Sequence, residues 1–99
     1  MDKKRTSLER LRAELPSREG VPESIPVPAE GRTDEWYRAM AAMIAADCLA
    51  NEMTLNTSLI QRRYAVGYVV ALRILEILSA AGCVEAVEQY SYKVLHEYQ

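Results

Sequence analysis

All four prolines of this 99-residue chain, Pro16, Pro22, Pro26 and Pro28, fall in one short stretch, and no other feature divides the chain so firmly. Proline lacks the backbone donor that helices and ladders use, and it pushes the preceding residue toward extended backbone. With Gly20-Val21-Pro22, Ile25-Pro26-Val27-Pro28 and Glu30-Gly31, residues 16–32 read as an extended linker. Ile25 and Val27 are the linker side chains suited to pack on a neighbouring surface. The hydrophobic core must therefore come from the residues that follow. We expect an N-terminal arm and Pro-rich linker over 1–32 and a single folded domain over 33–99, a length that fits one domain and not two. A hydrophobic content of 49% fits a globular chain rather than a disordered one.

Ahead of the linker, Thr6 and Glu9 match a capping box, and Leu8, Leu11 and Leu15 recur on one side of a helix over 6–15 that Pro16 stops. A helix this short is marginal alone, so its leucine stripe needs a cover. The net charge is -2, but its distribution is uneven. Residues 1–32 carry seven basic against six acidic side chains, and residues 33–99 carry five against eight. The domain expected to fold is thus the acidic part, which is unusual for a nucleic-acid module. Cys48 and Cys83 lie far apart in apolar context and read as buried reduced thiols. Asp47 and Arg73 interrupt the two most apolar regions, so no membrane span is expected. The basic start Lys3-Lys4-Arg5 leads into charged residues rather than an apolar signal core, so a cytoplasmic protein is expected.

After the linker, Thr33 is a candidate N-cap with Asp34 and Glu35 in the first turn. Tyr37, Met40, Ile44 and Cys48 then repeat at helical spacing, which predicts a helix over 34–50. Thr57 and Ser58 offer a second N-cap, for a short helix over 58–65 bearing Leu59, Ile60 and Tyr64. Val66-Gly67 breaks it, and a third helix is predicted over 68–81 with Gly82 as its terminating glycine. Val84 and Ala86, then Tyr92, Val94, His96 and Tyr98, alternate with polar positions and predict two strands joined near Glu88–Ser91. The fold class that follows is mostly α with a small β-hairpin: a winged helix-turn-helix behind a short N-terminal helix and a Pro-rich linker.

In such a unit the second helix of the pair enters a groove while the first lies across the backbone. Gln61, Arg62 and Arg63 sit on that first helix. The run Leu59-Ile60-Gln61-Arg62-Arg63-Tyr64-Ala65-Val66-Gly67-Tyr68 resembles the gamma domain of FtsK-type DNA translocases, with its Gln-Arg-Arg, aromatic or leucine, basic, Ile or Val, Gly-Tyr pattern. Ala71, Arg73, Leu75, Glu76 and Leu78, then Ala81-Gly82-Cys83-Val84 and Lys93-Val94-Leu95, continue the resemblance, which covers roughly residues 34–95. The translocase's phosphate-binding loop has no counterpart here, so the resemblance implies a free-standing gamma-like domain. It implies binding of oriented double-stranded DNA and contact with a site-specific recombinase.

The chain departs from that pattern where DNA would be read. Val69-Val70-Ala71 stands in place of Asn-Arg-Ala, and Ala65 replaces a basic residue. At about 100° per residue, Val69, Arg73, Glu76 and Ala80 share one face opposite Ala71, Leu75 and Leu78. A valine offers no hydrogen bond to a base edge, and each lost cation removes a phosphate contact. Two functional expectations follow. One is duplex DNA binding through helix 68–81 with Gln61, Arg62, Arg63, Arg73 and Lys93 as contacts; Arg73 otherwise pairs with Glu76 along the helix. The other is a protein-interaction module, such as an adaptor or an inhibitor from a phage or mobile element, that keeps the fold and docks a protein on Tyr68, Val69 and Val70. Tyr90, Tyr92 and Tyr98 read as hairpin packing, and His96 has no metal-ligand companions. Without a nucleophile–base pair, a metal cluster or a phosphate loop, neither catalysis, a cofactor nor a small-molecule substrate is expected.

Overall fold

The computed structural model describes residues 21–98, so the helix expected over 6–15 lies outside the described residues. Within them are three helices and a small three-stranded antiparallel sheet, with about half of the residues helical. Helix α1 spans Asp34–Asn51, strand β1 Thr54–Leu55, helix α2 Thr57–Tyr64, helix α3 Tyr68–Ala80, strand β2 Val84–Glu88 and strand β3 Ser91–Val94.

Local chemistry accounts for most boundaries. The Thr33 side chain accepts from the Trp36 amide at 3.1 Å and starts α1, with Asp34 and Glu35 in the first turn favouring the helix dipole. For α2 the cap is Asn56, one residue before the expected Thr57: its Oδ1 accepts from the Leu59 amide at 2.8 Å. Helix α3 ends as its sequence predicts. Gly82 takes φ 72°, the Cys83 amide donates to Leu78 O at 3.0 Å, and the last carbonyls are satisfied before the chain turns into β2.

The turn between α2 and α3 is not built on its glycine. Its left-handed residue is Ala65, at φ 55°, not Gly67. Gly67 has the extended backbone of an N-cap and open space where a Cβ would stand. No local geometry therefore demands glycine at that position.

The expected hairpin is present, with Val84 opposite Val94 and a bulge between Ala86 and Glu88, but it belongs to a larger sheet. Thr54 and Leu55 pair with Lys93 and Tyr92, giving the order β1-β3-β2. A two-residue strand has no period to detect, so the sequence carries no signal for β1. His96 and Tyr98, expected on a strand, follow the end of β3.

The core gathers Trp36, Met40 and Ile44 of α1, Leu55 of β1, Ile60 of α2, Ile74 and Leu78 of α3, and Val94 of β3. Cys48 and Cys83 are buried thiols. The described part of the linker joins this core: Val21 and Ile25 pack against it, and the Trp36 indole Nε1 donates to Ile25 O at 3.0 Å. Val27 stays exposed. Among the described residues, no helix is long and apolar enough to cross a membrane.

Candidate interaction face

Helix α3 separates its two faces as its sequence phase requires. Ala71, Ile74, Leu75 and Leu78 are buried, and Tyr68, Val69, Leu72, Arg73, Glu76 and Ala80 are exposed. Val69 is 75% exposed and Tyr68 56%, so the first turn of α3 presents an aromatic ring and a branched aliphatic to solvent. Val70, expected beside them, is only 8% exposed and belongs to the core; its position points about 100° away from Val69. The residue that completes the patch is Leu72, one turn on from Tyr68. The i, i+4 spacing from Tyr68 could have disclosed it.

The basic residues expected at this face are scattered by the fold. Arg63 is only 3% exposed and points into the interior between α2 and α1. Its Nε donates to Asp47 Oδ2 at 2.7 Å and its Nη2 to Oδ1 at 3.1 Å. The Tyr64 hydroxyl also donates to Oδ2, and Asn51 Nδ2 donates to Oδ1 at 2.9 Å. Arg63 is therefore a structural cation, and the expected phosphate contact is withdrawn. It is spent on a buried carboxylate that would otherwise be costly to bury. The adjacent Asp47, read only as an interruption of apolar sequence, is its partner. Sixteen residues of separation gave no helical or strand spacing by which to pair them.

The network sets the local acid–base behaviour. Burial alone would push the Asp47 carboxyl up, but the hydrogen bonds from Arg63 and Tyr64, the Arg63 charge and the Asn51 amide together hold it below its ordinary value. Burial, and then donation to Asp47, raises the Tyr64 phenol. Burial and the neighbouring Asp47 charge push the Cys48 thiol up to about 11, so it is a poor nucleophile.

On the surface, Gln61 is half-buried and Arg62 exposed. Arg73 is exposed, but it does not pair with Glu76. Its Nη2 lies 3.4 Å from Asp34 Oδ1 on α1, and its guanidinium sits 5.7 Å from the centre of the Tyr37 ring. Lys93 is exposed on β3, directly opposite Glu85 of β2. The hairpin adds exposed Val87, Glu88 and Tyr90, the last at φ 70° in its turn. Among the described residues, no group of three His, Cys, Asp or Glu side chains is placed to hold a metal ion.

No family model, no curated protein sequence and no solved structure matches the chain.

Proposed function

We propose that the chain is a winged helix whose third helix docks a partner protein. The order helix, short strand, helix, helix, hairpin, with the short strand paired to the second hairpin strand, supports the winged-helix reading. The observation that carries the docking reading is the exposed Tyr68–Val69–Leu72 patch at the leading end of α3, where a groove-reading helix would need hydrogen-bonding side chains. An exposed tyrosine beside two aliphatic residues has the composition of an interface anchor. The partner that fits is an apolar protein surface with a cation for Glu76, which is exposed on the same helix one turn beyond Leu72.

Duplex DNA is the second reading, favoured by the exposure of Arg62, Arg73 and Lys93 and the half-exposure of Gln61. Against it, Arg63 is withdrawn into the core, Arg73 shares Asp34, and Lys93 stands opposite Glu85. Affinity for a duplex falls steeply with each cation lost.

The test is affinity capture from nuclease-treated extract of the source organism, run beside fluorescence anisotropy on mixed duplexes at low salt. Docking predicts a specific, nuclease-resistant protein partner that Val69→Asp loses by at least about 30-fold, the cost of placing a charge in an apolar contact of about 2 kcal/mol. Duplex binding that weakens with salt and with Arg62→Ala, alongside no captured protein, moves the assignment to DNA.

A further inference from the structure

We infer that the cleft between α1 and α3 binds a monocarboxylate on an aliphatic body, the chemistry of a peptide's C-terminal leucine or valine. Three separate segments converge on it. Asp34 and Arg38 line it from consecutive turns of α1, Arg73 and Ile77 from consecutive turns of α3, and Tyr98 from the segment after β3. Ala80 and Ala81 complete the lining, and their small side chains leave a space of about 350 Å³. At about 100° per residue, Arg73 and Ile77 lie on a different flank of α3 from Tyr68 and Leu72, so the inference stands apart from the docking reading.

The charges select the ligand. Residues 33–99 carry five basic side chains against eight acidic ones, and one of the five, Arg63, is buried with Asp47. Two of the other four nevertheless meet in this one cleft. Arg38 makes no ion pair among the described residues. The Arg73 guanidinium sits 5.7 Å from the centre of the Tyr37 ring, a contact that steadies it without using its N–H donors. Its carboxylate neighbour, Asp34 Oδ1, is 3.4 Å away, and the two side chains are 53% and 74% exposed, so that pair is weak and readily exchanged. Two cations and one anion leave a single positive charge, which matches a monoanion. Guanidinium donors accept both oxygens of a carboxylate. Ile77, Ala80, Ala81 and the Tyr98 ring then offer apolar surface, which suits a carbon chain better than the further oxygens of a phosphate.

Proton–nitrogen correlation NMR of the full isotope-labelled chain tests the inference, at about 20 mM salt so that exposed charges are little screened. The probes are acetyl-Ala-Ala-Leu with a free carboxylate, the same peptide as its C-terminal amide, and inorganic phosphate. The free acid is expected to move the side-chain Nε–H signals of Arg38 and Arg73 and the Tyr98 amide, saturating with a Kd of about 1 mM, the order for one exposed charge-assisted contact. The amide should bind at least about tenfold more weakly, and so should the acid to Arg38→Gln. Ala80→Leu, which fills the cleft and keeps both arginines, should have the same effect. Asp34→Asn should instead tighten binding by at least about threefold, because it frees Arg73 from a competing carboxylate. All three substitutions are at exposed positions, and each variant is checked for a wild-type circular dichroism spectrum. Arginine signals unmoved by the acid, equal binding of acid and amide, binding untouched by Arg38→Gln, or phosphate bound more tightly than the acid overturns the proposal.

Discussion

Arg63 and Asp47 are each 3% exposed at their side chains, so removing either leaves a charge in the interior without its partner. Arg63→Ala is expected to lower unfolding free energy by about 3–5 kcal/mol in urea titrations. The pH dependence should weaken with it. In the wild type the Asp47 carboxyl is held below its unfolded value of about 3.9, so its contribution is present at neutral pH and lost only as pH falls through the depressed folded value. In Arg63→Ala the Tyr64 and Asn51 hydrogen bonds remain but the cation is gone, so the carboxyl moves up and the loss of stability as pH falls should shrink. Urea midpoints measured across pH decide this; an unchanged acid limb in the variant contradicts the role given to Arg63. The inter-helix turn makes a second test. Ala65 occupies left-handed backbone that costs an alanine roughly 1 kcal/mol, whereas Gly67 occupies an N-cap that favours Ser or Asn. Ala65→Gly should raise stability by about 0.5–1 kcal/mol, and Gly67→Ser by a few tenths. Thermal melts of the two variants check both signs.

At the level of elements, periodicity and caps locate the three described helices to within a residue or two, because α1 and α3 carry clear apolar repeats and their ends carry Thr33 and Gly82. The exposed face of α3 was legible for the same reason: phase along a helix fixes Val69 and Arg73 on one side and Leu75 and Leu78 on the other. Adjacent positions are harder to assign, since Val70 follows Val69 by about 100° of rotation and falls into the core. What sequence could not reveal is pairing between elements. Strand β1 exists only because β3 supplies its partners, and Arg63 turns inward only because α1 places Asp47 beside it. The linker shows the same dependence. Its Ile25 carbonyl receives the Trp36 indole proton, so a chain starting at Ala29 should lose about 1–3 kcal/mol of stability through the unsatisfied buried donor. A red-shifted Trp36 emission together with a lower thermal midpoint is the expected result; unchanged values show that water replaces Ile25 without cost.

Taken as a whole, the described part of the molecule buries one ion pair, Arg63 with Asp47, and presents apolar side chains at the leading end of α3. The acidic balance of the folded part, visible from composition, acquires meaning once the fold sets Glu76, Glu85 and Glu88 on exposed positions and removes Arg63. The Gln-Arg-Arg run that suggested phosphate contacts thereby splits into residues with different work: Gln61 and Arg62 at the surface, Arg63 in the core. On the docking reading, contact with a partner begins at Val69 rather than at Arg62. Site-specific photocrosslinking from each of the two positions, in nuclease-treated extract, tests it most directly. The expected result is a discrete protein adduct from position 69 that excess wild-type chain competes away and that Tyr68→Asp abolishes. Adducts from position 62 to added duplex, with none to protein from position 69, would contradict it.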